Sequence, residues 1–385
     1  MAAPPLARLG MSTSRFLRDH WQKRPLLVRG ALPSFEDPLS AEELAGLACE
    51  DGVESRIVTR TRTRYDVRYG PHEEHTFLSL PEARWTLLVQ EVNRHVPGAA
   101  DLLDAFSFIP NVRVDDVMVS YAAPGGGVGP HIDSYDVFLV QGQGRRRWRY
   151  GATATGDVAL VEGAPLRILR RFSPDHDEIL EAGDMLYLPP GVAHEGTADT
   201  ACLTYSVGFR APNLAEMYMD LSDALCDLPA GAALYRDPQL APQHNPGLVS
   251  PAARARVRSM IRGLALSDAE IDRWYARFAT RLKPGHEIPR PARAPRWPAI
   301  LRRLERGDVV VRSEEGRFAY LDEPRIYLYV GGEELPCHRA ALPMIELVCS
   351  ARRLGAADLL RASKAVAARE LLVRLFTLGA LSFVR

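Results

Sequence analysis

The chain has 385 residues, room for two or three domains and a substantial core, since single domains run to about 100–200 residues. Its 48 basic and 48 acidic side chains cancel, which excludes a whole-chain attraction to nucleic acid. Five scattered cysteines without a CxxC pair exclude a disulfide framework and a cysteine zinc site, and a reducing cytosol suits them.

The N-terminus, MAAPPLARLGMSTSRFLRDH, has no apolar core long enough for a signal peptide. No run reaches the ~18–20 apolar residues of a membrane span, so the chain reads as soluble and cytoplasmic. FLRDHWQKRPLLV predicts an amphipathic helix running into a strand. From about 12 to 212 the chain is a series of short apolar or alternating runs broken by Gly, Pro and Asp: RPLLVRG, VDDVMVSYAAPGGG, DVFLVQGQG, RRWRYG, DMLYLPPG and ACLTYSVGF. Many short strands with turn signals between them predict a β-sandwich or barrel, with helices over 41–47 and 83–96 packed around it.

Past 212 the texture becomes helical. NLAEMYMDLSDALCD has helical spacing, and SDAEIDRWYARFATRL opens with Ser267 and Glu270 placed as a capping box. Ile271, Trp274, Tyr275 and Phe278 then fall along one face. KPGHEIPRPARAPRWP, rich in Pro and charge, reads as a linker. GDVVVRSEEGRFAYLD and RIYLYVGGEELPC follow as hairpin strands, and ALPMIELVCSARRL and AVAARELLVRLFTLG as helices, forming a small α+β domain. The expected division is 1–212, 213–290 and 291–385.

Chemistry concentrates in GPHIDSYDVFLVQGQGRRRWRYG. His131 and Asp133 alternate on a strand, so both side chains leave one face and can approach one ion. An isolated HxD is common by chance, and a third ligand is needed. His194 supplies it, because EAGDMLYLPPGVAHEG is a strand closed by a Pro-Pro-Gly turn that presents the histidine just beyond. Two imidazoles and a carboxylate on one face of an ion form the facial triad of non-haem Fe(II) oxygenases. The other histidines read as surface or core residues.

The turn QGQG is expected to return the chain into a strand beside the one it leaves. There Arg146 and Trp148 share one face, and Arg145 and Arg147 the other. Arg146 inside a barrel can grip a carboxylate bidentately, as a 2-oxo acid cosubstrate requires, while Arg145, Arg147 and Arg149 read as solvated.

These segments, with WQKRPLLVRGALP and YSVGFRAP, resemble the JmjC and cupin-like 2-oxoglutarate oxygenases, specifically the bacterial ribosomal oxygenases. The resemblance covers most of the first two hundred residues. It implies an α+β chain: a double-stranded β-helix barrel of jelly-roll, JmjC type, a helical dimerisation segment and a small winged-helix-like C-terminal domain. It implies Fe(II) held by His131, Asp133 and His194, with 2-oxoglutarate and O2 as cosubstrates. Arg146 takes the place of the lysine that many relatives carry in a G-x-K-x-W pattern, and Ser206 in LTYSVGF assists cosubstrate binding. The implied substrate is the β-carbon of an arginine in large-subunit ribosomal protein number sixteen, hydroxylated by a homodimer. Asp136 or Glu195 would receive its basic loop, although Asp136 reads equally well as a strand-end hydrogen-bond partner.

Three other readings stay open. An N-methyl demethylase needs the same triad and clamp. A metal-binding cupin acting on a small metabolite needs the triad without Arg146. A winged-helix regulator would use Arg302, Arg303, Arg306, Arg352 and Arg353, but Glu305, Glu314, Glu315 and Asp322 are interleaved with them.

Overall fold

The computed structural model describes residues 9–384 apart from 34, 62–63, 154–158, 227–230, 239, 241, 243–246 and 264–265. The chain divides at Ala211/Pro212 into two compact units, the first of which also takes in Ser350–Arg352.

The first unit opens with α1 (Thr13–Asp19), capped by the Ser12 hydroxyl, and β1 (Leu26–Val28), the helix and strand expected of FLRDHWQKRPLLV. A capping box between Ser40 and Glu43 starts α2 (Ala41–Leu47). There follow β2 (Ser55–Thr61), β3 (Arg64–Tyr69), α3 (Glu74–Leu78), β4 (Trp85–Val89), α4 (Pro97–Asp101) and β5 (Val114–Ala122). The remaining strands are β6 (His131–Ile132), β7 (Asp136–Gln141), β8 (Arg146–Thr153), β9 (His176–Leu180), β10 (Met185–Leu188), β11 (Val192–Ala198) and β12 (Cys202–Phe209).

The stretch 83–96 is not the helix its sequence predicts. It is β4 followed by one 3-10 turn, Val92–Arg94, and Glu91 at φ 54° breaks any helical continuity. Four consecutive buried residues of β4 lie between β2 and β5, so cross-strand pairing and two-sided burial override the helical pattern.

An eight-stranded sheet runs in the order β1-β10-β7-β12-β5-β4-β2-β3, and a four-stranded sheet in the order β6-β11-β8-β9; every ladder is antiparallel. Consecutive β7 and β8 lie in different sheets, so QGQG does not close a hairpin as expected. The Gly142 N–H bonds to Leu203 O and the Gln143 N–H to the Asp37 carboxylate, and these ties redirect the chain to the second sheet.

Alternation along the strands sorts side chains between two cores. Val137, Leu139, Leu186 and Leu188 of the large sheet meet Trp148, Tyr150, Leu180 and Val192 of the small one, which defines the barrel interior. Phe138, Val140, Tyr187, Tyr205 and Phe209 point the other way, onto Phe16 and Phe106.

Asp136 sits one place before Val137 and leaves on that outer side. It is fully buried, accepting from the Tyr187 hydroxyl at 2.6 Å, Gln22 Nε2 at 3.0 Å and Arg113 Nη2 at 3.0 Å. Asp136 therefore cannot bind substrate in the barrel; it is a strand-end hydrogen-bond hub.

The second unit contains α5 (Leu214–Cys226), α6 (Pro251–Gly263), α7 (Asp268–Thr280) and α8 (Trp297–Glu305). After them come β13 (Val310–Arg312), β14 (Phe318–Leu321), β15 (Ile326–Val330), β16 (Glu333–Cys337), α9 (Leu342–Ser350), β17 (Arg353–Leu354), α10 (Ala356–Ala362), α11 (Val366–Thr377) and β18 (Leu381–Phe383). The strands form two three-stranded sheets, β17-β13-β18 and β14-β15-β16. The Ser267–Glu270 capping box is formed as its spacing predicts. The apolar face of α7 divides: Trp274 and Phe278 stack at 5.5 Å and are buried, whereas Ile271 and Tyr275 stay exposed.

Tyr187→Phe removes a buried donor from Asp136 and is expected to lower stability by about 1–3 kcal/mol in urea denaturation. Metal binding should be unchanged, because the pair lies on the outer side of the sheet.

Candidate metal centre

The segment between β5 and β6 reaches the site through close backbone passages that only glycine allows. A Cβ on Gly126 would lie 2.1 Å from Trp85 O, and one on Gly127 2.3 Å from Gly196 O. His131 on β6 then pairs in register with His194 on β11. The Gly191 N–H bonds to Asp133 O at 2.9 Å, so the Pro-Pro-Gly turn is tied to the backbone of the HxD segment.

His131 Nε2 stands 3.8 Å from Asp133 Oδ1, and His194 Nε2 3.5 Å from Oδ2. The three ligand atoms lie within 4.8 Å of one another, close enough to converge on a single ion. The second nitrogen of each ring is committed: His131 Nδ1 to Gly129 O at 2.9 Å, His194 Nδ1 to Val192 O at 3.0 Å. A carbonyl can only accept, so each Nδ1 carries the proton and each Nε2 presents its lone pair to the site. Burial, reinforced by His131, pushes the His194 pKa down to about 4, which keeps this ligand neutral and metal-competent.

Arg146 lies where the sequence places it, on the inner face with Trp148, and both are buried. Its Nη1 donates to Ser120 Oγ at 2.9 Å and Thr204 Oγ1 at 3.3 Å, its Nη2 to Gly196 O at 3.4 Å, and its Nε has no hydrogen-bond partner. It enters no ion pair among the described residues, and burial pushes its pKa down. An enclosed guanidinium bonded only to neutral oxygens costs several kcal/mol until an anion joins it. Gly196 makes room for it, since a Cβ there would meet Arg146 Nε at 2.8 Å and Trp148 at 2.7 Å. Arg145 and Arg147, on the opposite face, pair with Asp199 and Asp177.

Sequence reading missed Ser120 and Thr204; Thr204 also donates to Gln141 Oε1 at 3.2 Å. The available signal was parity, because Thr204 is two residues before Ser206 on the same face of β12 and Ser120 is its register partner on β5. Ser206 is buried on this face opposite Met118, but the hydroxyl that reaches Arg146 is that of Thr204. Glu195 alternates to the far side of β11, buried under Arg149 and Arg60, so its charge is already matched and it does not line an entrance. Tyr135 was also missed. Its hydroxyl donates to Asp133, and desolvation, then Asp133 and Asp116, raise its pKa.

A family profile described as the JmjC domain matches residues 101–217. The chain is 38% identical to the ribosomal protein uL16 3-hydroxylase of Escherichia coli (strain K12), over 87% of this chain and 88% of that one. It is 40% identical to a probable ribosomal oxygenase of Haemophilus influenzae, over 55% of this chain and 52% of that one. The X-ray structure of E. coli YcfD superposes with a TM-score of 0.85 at 35% identity, covering 98% of this chain and 99% of that one. A structure of that ribosomal oxygenase in complex with cobalt and 2-oxoglutarate superposes with a TM-score of 0.81, at the same identity and coverage.

Asp133→Ala is expected to abolish cobalt(II) binding, read by visible absorption, while leaving the circular dichroism spectrum intact. A second expectation concerns acid. An unfolded imidazole titrates near 6.5 and folded His194 near 4, so the unfolded chain binds the extra proton between these values. The metal-free protein should therefore lose stability as pH falls through that window, a loss that His194→Gln should reduce.

Proposed function

The chain belongs to the JmjC-domain ribosomal oxygenases, and from that premise we propose that it hydroxylates the β-carbon of an arginine in ribosomal protein uL16. It is a 2-oxoglutarate- and metal-dependent hydroxylase with a cupin-type fold. The observation that carries this reading is the pairing of one pre-oriented ligand triad with one buried arginine that has no ion-pair partner among the described residues, in the same barrel.

The donor set fits Fe(II), with two imidazoles and a carboxylate on one side and the remaining positions left to small ligands. Bound iron supplies the oxygen chemistry that couples decarboxylation of the cosubstrate to hydroxylation of a carbon. The protein's own part is positional. Arg146, backed by Ser120 and Thr204, takes the far carboxylate of 2-oxoglutarate, and Ser206 adds a hydroxyl on the same face. Arg146 argues against a cupin without an acid cosubstrate, since no carboxylate among the described residues pairs with it.

Asp116, rather than Asp136, offers the negative charge that a basic substrate side chain requires. It is buried, accepts the Glu91 N–H at 3.2 Å, and stands close enough to Tyr135 to raise that phenol's pKa. Tyr135 links the two carboxylates, bonding to Asp133 and lying within electrostatic reach of Asp116.

Residues 213–290 we assign as a homodimerisation segment, because Leu214, Tyr218, Met219, Ile261, Ile271 and Tyr275 on its helices are exposed. Residues 291–385 we assign as a winged-helix-like domain, with two small sheets and four helices. Arg303 and Arg306 there share Asp308, which weakens a nucleic-acid role for that surface.

Purified enzyme with Fe(II) and 2-oxoglutarate should add the mass of one oxygen to a single arginine peptide of uL16. Formaldehyde release instead would mark a demethylase. Arg146→Ala should raise the KM for 2-oxoglutarate about 10–100-fold, the worth of a charge-assisted hydrogen bond or two, with cobalt affinity retained. Sedimentation at micromolar concentration is expected to give a dimer that Tyr218→Glu with Ile271→Glu dissociates.

A further inference from the structure

The two histidine ligands share one outer support. Gly129, whose carbonyl fixes the His131 tautomer, sits at φ 80° with the Tyr65 phenol against it. A Cβ added there would lie 2.8 Å from the Tyr65 hydroxyl oxygen, 3.0 Å from Tyr65 Cζ and 3.4 Å from Ile168 Cγ2. Ile168 closes the other side because the next residue, Leu169, donates its N–H to Pro130 O at 2.8 Å. A glycine in the left-handed region has the widest backbone freedom, so its carbonyl direction depends on these walls.

Directly opposite Tyr65 in the β2–β3 hairpin is Arg60, whose guanidinium lies 5.5 Å from the Tyr65 ring centroid. Arg60 also stands 3.8 Å from Glu195, the neighbour of His194 in β11, which is only 3% exposed. One hairpin at the edge of the large sheet therefore packs on Gly129, two residues before one imidazole ligand, and stands beside Glu195, one residue after the other. The sheet order leaves β3 at that edge, with no ladder partner beyond it among the described residues.

We propose that the β2–β3 hairpin, through Tyr65 on Gly129 and Arg60 on Glu195, is the positioning element that holds both imidazole ligands in metal-binding geometry. This rests on the metal-centre reading above. Tyr65 and Arg60 act through backbone and neighbouring side chains, so their removal loosens the ligands without removing a donor. Outer partners of metal ligands commonly change affinity by about 10–100-fold, and the lower end is expected here because the Nδ1 hydrogen bonds themselves survive.

The test uses the full-length metal-free protein, titrated with cobalt(II) and followed by visible absorption. Tyr65→Ala and Arg60→Ala should each weaken cobalt binding about tenfold and alter the cobalt spectrum. Tyr65→Phe, which keeps the ring wall, should restore both. Arg147→Ala, which removes an exposed pair on the neighbouring strand, should leave them at wild-type values. At saturating metal the KM for 2-oxoglutarate should not move in any of these variants, since Arg146 is untouched. Wild-type cobalt affinity and spectrum in folded Tyr65→Ala and Arg60→Ala would overturn the proposal; should Tyr65→Ala not fold, Arg60→Ala decides alone. Failure of the wild-type protein to bind cobalt would overturn the metal-centre reading itself, and this inference with it.

Discussion

A positive charge enclosed in the barrel, with no carboxylate paired to it among the described residues, is the constraint around which the first unit is arranged. Arg146 is buried with three neutral oxygens as its hydrogen-bond partners. A structural arginine at such a place would have been paired, because an unmatched buried charge opposes folding. The fold bears that cost and arranges hydroxyls on β5 and β12 around the guanidinium. This makes sense for a site whose ligand brings the missing charge, and the metal triad one strand away identifies the ligand as an acid that also reaches the metal.

The triad is built with the same economy of parts. Two carbonyls, of Gly129 and Val192, settle the tautomers of both imidazoles, and they lie two residues before the histidines they orient. Burial keeps His194 neutral. The glycines before His131 are needed less for flexibility than for closeness, since the backbone passes other main-chain atoms at distances no Cβ could tolerate. Metal binding, cosubstrate binding and the sheet-to-sheet packing are therefore one construction.

Much of this was legible in the sequence. A histidine after a Pro-Pro-Gly turn and an arginine on the tryptophan side of RRRWR were readable from local order and alternation; the HxD pair does converge with His194, but β6 ends at Ile132, so Asp133 reaches the site from just beyond the strand and not by alternation along it. The errors have physical causes as well. The 83–96 segment has helical spacing, but four buried residues between two strand partners decide in favour of β4. The resemblance implies Asp136 or Glu195 as receivers of a basic loop, but alternation turns each to the outer side of its strand, and Asp136 takes the strand-end hydrogen-bonding role that its sequence equally allows. The turn QGQG carries hairpin residues, yet its backbone bonds to Leu203 and Asp37 send the chain into another sheet.

By itself the sequence determined the types and parity of the reactive groups: which residues can bind a metal, which arginine faces inward, and where the chain becomes helical. Ser120, Thr204, Asp116, Tyr65 and Arg60 enter the picture only through the tertiary structure, as does the assignment of each histidine nitrogen. The reason is the same for all of them. Their roles come from strand register and sheet packing between segments far apart in the chain, and the energy of that pairing is not written in any short stretch of residues.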